Sequence, residues 1–147
     1  MATDKRVFID TNVLISAVAS RSPHYFRARG LLARIEQQDL EPWVSRQVLR
    51  ELLSGMSRPQ VFSRPFTPAE ILQTAQAYEA MFVVAEDLPI VAQQLYLLLE
   101  QIPFGGKQVH DANIVATMLA YGIPELLTHN AADFRRFGDR IRFTDIA

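Results

Sequence analysis

Five short apolar runs, each bounded by turn signals and separated by helix-length stretches, most constrain how this chain can fold. They cover residues 6–9, 40–44, 82–84, 125–128 and 141–144. Too short for helices and rich in Val, Phe, Leu and Ile, they read as buried strands. Helices are expected over 11–19, 24–38, from a Ser45 cap through 56, from a Thr67 cap to 81, from an Asp87 cap to 102, and over 110–121. Thr67-Pro68-Ala69-Glu70 joins an N-cap, a proline at the first helical position and a capping box. Gly122, with Pro124 beyond it, suits a helix C-terminus. The last of these helices carries Ile114, Val115, Met118 and Leu119 on nearly all sides and should be central. Residues 57–68 hold Pro59, Pro65 and Pro68 and read as a loop. Strands alternating with helices predict an α/β fold, a central parallel sheet of about five strands covered on both faces. With no repeat or linker, residues 1–147 fit one domain.

That topology gives four acids a shared address. Side chains at the carboxyl ends of parallel strands converge on one crevice. Asp10 ends Val7-Phe8-Ile9, Glu51 lies in the helix after Trp43-Val44-Ser45, and Asp111 opens the central helix. Asp133 follows Thr128-His129-Asn130. Each has a plain structural role available: Asp10 and Asp111 as helix caps, Asp133 in an Asx-turn, Glu51 on a solvated helix face. Together, crowded carboxylates repel unless a cation sits among them, and a hard divalent ion with oxygen ligands answers that need. Thr11, Asn12, Asn113, Thr128 and Asn130 add hydroxyls and amides that can orient such carboxylates.

Composition removes other chemistries. There is no cysteine, so disulfides, thiolate catalysis and cysteine–zinc sites are excluded. No apolar stretch approaches the ~20 residues a membrane helix needs. Lys5-Arg6 before an apolar run mimics a signal peptide, but Asp10 and Asn12 interrupt it, which places the chain in the cytoplasm. Formal net charge is −1, and all basic residues except Lys5 and Lys107 are arginines, the side chain suited to phosphate. Residues 65–106 contain five acids and no Lys or Arg. Their apolar helices are candidate partner surface, or else simply pack on the sheet.

Ile9-Asp10-Thr11-Asn12-Val13-Leu14, Ser45 with Glu51, His110-Asp111-Ala112-Asn113 and Thr128-His129-Asn130-Ala131-Ala132-Asp133-Phe134 follow one another in an order that resembles the PIN-domain family. The length resembles its single-domain members, the VapC-type ribonuclease toxins of toxin–antitoxin modules. The resemblance implies a metal-dependent endoribonuclease that cleaves single-stranded RNA to 5′-phosphate and 3′-hydroxyl ends. Its acidic quartet falls on Asp10, Glu51, Asp111 and Asp133, and its auxiliary positions on Thr11 or Asn12, Thr128 and Asn130. Oxygen ligands favour Mg²⁺ or Mn²⁺ over zinc. Asp10 and Asp111 are the first choices as direct ligands, Asp133 shares that role or acts through water, and Glu51 holds water or a second ion. The resemblance further implies a homodimer and an antitoxin from a neighbouring gene that directs a basic side chain at the acids.

A phosphoacceptor receiver domain is another small α/β signalling fold, but it needs paired acids where Asp10 is followed by Thr and Asn, and a late-strand Lys where Lys107 follows a helix. A PIN-like scaffold that only binds protein has no reason to keep four mutually repelling acids. Gly105-Gly106-Lys107 lacks the spacing of a P-loop. His110 has no partner that demands acid–base work. His24 and His129 lack zinc spacing.

Overall fold

In the computed structural model, which describes residues 4–59 and 64–145, the apolar runs form five parallel strands. β1 is Arg6–Ile9, β2 Glu41–Ser45, β3 Val83–Ala85, β4 Glu125–Thr128 and β5 Arg142–Asp145. Their order is β3-β2-β1-β4-β5, so β1 is central. Phe8 stands opposite Trp43 on one side and Leu126 on the other, and Phe8 and Leu126 are fully buried. The edge strand β5 is mostly exposed. A central parallel strand is apolar on both faces, and β1 and β4 follow that rule.

Among the described residues, seven helices connect and flank the strands: α1 (Thr11–Ser16), α2 (Tyr25–Gln37), α3 (Arg46–Ser57), α4 (Pro68–Met81), α5 (Pro89–Gln101), α6 (Gln108–Tyr121) and α7 (Ala131–Phe134), with a 3₁₀ turn at Arg135–Phe137. Local chemistry explains their limits. Ser45 Oγ accepts the Val48 N–H at 3.1 Å and starts α3. The Thr67–Glu70 capping box is complete, with reciprocal bonds of 3.0 and 3.2 Å. Gly122 closes α6 at φ 70°, a left-handed conformation that a side chain would strain. α6 is the central helix expected, burying Ala112, Ile114, Val115, Ala116, Thr117 and Met118. The Tyr78 hydroxyl donates to the Leu14 carbonyl at 2.9 Å, tying α4 to α1.

Three expectations need correcting. α1 stops at Ser16, and the chain turns through Ala17 rather than staying helical to 19. α5 is capped by Leu88 ahead of Pro89, without a side-chain bond. The expected cap, Asp87, is instead paired with Arg50 at 2.9 Å. Asp133 lies in the first turn of a short helix, α7, rather than in a bare turn. Of the expected loop over 57–68, residues 60–63 lie outside the described residues, and Ser57 ends α3.

Candidate active site

Asp10 leaves β1 at the centre of the sheet, and its own N–H remains in register, donating to the Leu127 carbonyl of β4 at 3.0 Å. Its carboxylate caps α1, Oδ1 accepting the Thr11 N–H at 2.8 Å. The other oxygen faces β4 and accepts the Thr128 hydroxyl at 2.8 Å and the Asn12 amide at 3.3 Å. Thr128 is fully buried, and its Oγ1 also accepts the Asn130 N–H at 3.0 Å. Asn12 is held in turn, its Oδ1 accepting the His129 N–H at 3.2 Å. Asp10 is therefore both a structural cap and a fixed, buried acid.

Glu51 reaches the same place from α3. The Thr11 hydroxyl donates to its Oε2 at 3.0 Å, and Gln47 Nε2 donates to its Oε1 at 3.0 Å. Gln47 is buried, and it also donates to the His110 carbonyl at 2.8 Å and accepts from Asn113 Nδ2 at 2.7 Å. One amide thus fastens α3 to the first turn of α6, beside Asp111. Sequence reading noted Asn113 but missed Gln47. The available signal was its place one turn before Glu51, on the same helix face. α1 and α3 approach closely at Gly55, where an added Cβ would displace the end of the Ile15 side chain.

Electrostatics link the four acids. Burial pushes the Asp10 carboxyl up to about 6, opposed by its bonds from Thr128 and Thr11 and reinforced by the charges of Asp111 and Glu51. Burial likewise raises Asp111 to about 6, with Asp133 and Glu51 adding to the effect. Among the described residues, no lysine or arginine forms an ion pair with any of the four. Asp10, Glu51 and Asp111 line one cleft of about 590 Å³ with Thr11, Asn12, Gln47 and Asn130. Asp133 is felt there through its charge on Asp111 but does not line the cleft.

This donor set fits a hard divalent cation: carboxylate oxygens, buried at Asp10 and half-buried at Glu51 and Asp111, in a cleft whose arginines, Arg50 and Arg58, form no ion pair with them among the described residues. Among the described residues, no three carboxylates or imidazoles form a ready-made cage. That suits Mg²⁺, which keeps several waters and takes one or two carboxylates plus substrate phosphate. The His24 and His129 rings lie 4.5 Å apart, and both His129 ring nitrogens are buried without a hydrogen-bond partner. Burial, then the neighbouring His24, lowers His129 to about 4, so its ring is neutral.

Related proteins place this geometry. Ribonuclease VapC24 of Mycobacterium tuberculosis is 25% identical over 132 residues, covering 88% of this chain and 90% of its own. A chain of the DNA-bound VapBC from Salmonella typhimurium superposes with a TM-score of 0.69 at 19% identity, covering 97% of this chain and 98% of that one. VapC20 of M. tuberculosis, a sarcin–ricin loop cleaving toxin, gives 0.67 at 17% identity, with coverage of 92% and 95%. The PIN domain pattern matches residues 7–140, from the start of β1 to just before β5. A five-stranded parallel sheet with acids gathered at its carboxyl edge, matched over nearly its whole length, makes this chain a member of the PIN-domain family.

Proposed function

We propose that this chain is a metal-dependent endoribonuclease and the toxin of a VapBC-type pair, acting in the cytoplasm on single-stranded RNA. The observation that carries this reading is the charge imbalance of the cleft: two carboxyls raised to about 6 by burial first and by neighbouring acids second, with no lysine or arginine among the described residues in an ion pair with them. The relative named Ribonuclease VapC24 supports it.

Asp10 and Asp111 are the residues that would hold Mg²⁺ or Mn²⁺, with Asp133 as a further, outer contributor. When bound, such an ion offsets the clustered carboxylates and polarises both the scissile phosphate and the attacking water. Thr128 and the Thr11 N–H fix the two Asp10 oxygens in place. Glu51, clamped by Thr11 and Gln47, orients the attacking water. Asn12 and Asn130 keep the Thr128 side of the cleft rigid. Water oxygen attacks phosphorus, the P–O3′ bond breaks, and the 3′ oxygen takes the proton, leaving 5′-phosphate and 3′-hydroxyl ends.

The layer of α4 and α5 supplies the restraint that such an activity needs. α4 buries only Tyr78, and α5 only Val91 and Leu98. Leu72, Met81, Leu88, Tyr96, Leu97 and Leu99 are exposed. Exposed apolar surface of this kind marks an interface, here for a second copy and for the antitoxin. An antitoxin arginine or lysine reaching the acids would compete with the metal ion.

The test is cleavage of single-stranded RNA by the purified chain. We expect activity with Mg²⁺ or Mn²⁺, none in chelator, and loss in Asp10→Asn. RNA left intact in both metals, or cleaved equally by Asp10→Asn, overturns the reading.

A further inference from the structure

α3 turns two different edges toward the cleft. Gln47 and Glu51 occupy one. On the next, Arg50, Ser54 and Arg58 follow at intervals of four residues, which stacks them along one face. All three are exposed, and all three line the cleft that holds Asp10 and Asp111. Arg50 and Arg58 stand two turns apart, about 12 Å along the helix axis, too far to serve one phosphate in the same way. The partner of Arg50 is replaceable. Arg50 pairs with Asp87 at 2.9 Å, with the two side chains 63% and 47% exposed, and such surface pairs are worth about 0–1 kcal/mol. Arg58 Nη2 donates to the neutral Ser54 hydroxyl at 3.2 Å.

The adjoining arginine behaves otherwise. Arg46, one turn before Arg50, is committed to Glu86 and Glu79 through bonds of 2.8–3.0 Å and does not line the cleft. The basic row that meets the cleft therefore begins at Arg50 and runs toward Arg58. Gly55, four residues beyond Glu51 and so on the neighbouring edge of α3, faces Ile15 of α1, the helix that Asp10 caps.

We propose that Arg50, Ser54 and Arg58 form a phosphate track that holds the RNA backbone on one side of the scissile bond. The proposal rests on the ribonuclease reading and adds to it where the substrate strand lies. Arginine suits this role because its planar fork binds phosphate oxygens in pairs. Strand placement follows from the layout: successive phosphates run along α3, and the one at its Glu51 end enters the acid cluster.

Fluorescence anisotropy of labelled single-stranded RNA across a KCl series, in chelator to prevent cleavage, tests the track. Each phosphate contact removed from a single strand should flatten the log–log salt slope by about 0.7. Arg50→Gln and Arg58→Gln are each expected to do so, and the double variant to do so about twice over. In the cleavage assay the double variant should raise KM by about 10-fold or more, with kcat and calorimetric Mn²⁺ affinity retained. Arg46→Gln should leave slope and KM unchanged. An unchanged slope and KM in the double variant, with parental cleavage intact, overturns the track alone. If RNA binding is unchanged and only antitoxin binding weakens, the row serves a protein and the proposal is wrong. If the parent fails to cleave in Mn²⁺ yet the slope still flattens, the track stands and the ribonuclease reading falls.

Discussion

At the carboxyl edge of β1 and β4 the Asp10 and Glu51 carboxylates are held by hydrogen bonds, whereas along α4 and α5 many apolar groups are uncovered. Asp10 is held by Thr11, Asn12 and Thr128, and Glu51 by Thr11 and Gln47. What that edge lacks, among the described residues, is a lysine or arginine in an ion pair with its acids. On α5, Tyr96 and Leu99 are 66% and 54% exposed, and what that layer lacks is cover. The first region is geometrically ordered and crowded with acids, and on the proposed reading a small cation completes it. The second is electrically bland and unpacked, so only a macromolecular surface completes it. Rigidity at one end and adhesiveness at the other suit a catalyst that is switched by association.

The largest expected effect breaks the first half of this contrast. Asp10→Asn keeps the side-chain shape but replaces one of two accepting oxygens with an amide donor and removes one charge from the proposed metal-holding set. Cleavage should fall by about 10²–10³-fold, read as kcat on single-stranded RNA, with the circular dichroism spectrum unchanged. A variant that retains activity would show that the finished geometry serves something other than chemistry.

Next in size is the stability penalty of that missing charge. In the folded chain Asp10 holds its proton up to about pH 6, while the unfolded chain releases it near 3.8. Between those values the native state binds more protons, so stability in chelator should fall as pH rises from about 4 to 6. From that displacement Asp10 accounts for at most about 3 kcal/mol, and the half-buried Asp111 adds less. Denaturant melts at pH 4.5 and 7 should show this difference, and Asp10→Asn should shrink it. Millimolar Mn²⁺ should restore stability at pH 7. A stability profile flat across this window would contradict the charge deficit.

The apolar layer offers the third test. Tyr96→Asp with Leu99→Asp should weaken antitoxin or self-association by about 30-fold, the scale of a hot-spot loss of ~2 kcal/mol. Size-exclusion chromatography of the co-expressed pair reads the outcome, and cleavage by the isolated variant should persist. Association untouched by both changes would move the interface elsewhere. The smallest effect sharpens the geometry itself. Thr128→Val takes one donor from Asp10 and one acceptor from the Asn130 N–H. Loss of such an orienting group should lower Mn²⁺ affinity or activity by about 10-fold, measured by calorimetry and by cleavage.

How much of this was visible in the sequence differs between the same two regions. β1 and β4 were legible to the residue, because apolar runs ending in Asp10 and Thr128 are local signals. The capping box at Thr67 and the left-handed Gly122 were legible for the same reason. The four acids could be named from their positions after strands and from the resemblance they carry. Their coupling could not, because it depends on burial and on the closeness of α3, α6 and α7. Asp87 misled, since a good capping residue was drawn away by Arg50, thirty-seven positions earlier in the chain. Gln47 stayed hidden because its value comes from α6, sixty-odd residues away. For α4 and α5 the composition raised two readings, core or interface; the structure shows how much apolar surface those helices leave exposed, and the interface remains a proposal.

The hydrogen bond from Thr128 to Asp10 spans 118 positions of sequence. β4 lies directly beside β1, yet it is made by the ribosome long after β1 and α3, and only once α6 is complete. A growing chain therefore carries Asp10, Glu51 and Asp111 with the seat of Asp10 still open. Domains fold largely as units once their last essential strand emerges. Catalytic competence in this molecule is accordingly a late event in its own synthesis, and prematurely terminated chains lacking β4 should be inert toward RNA.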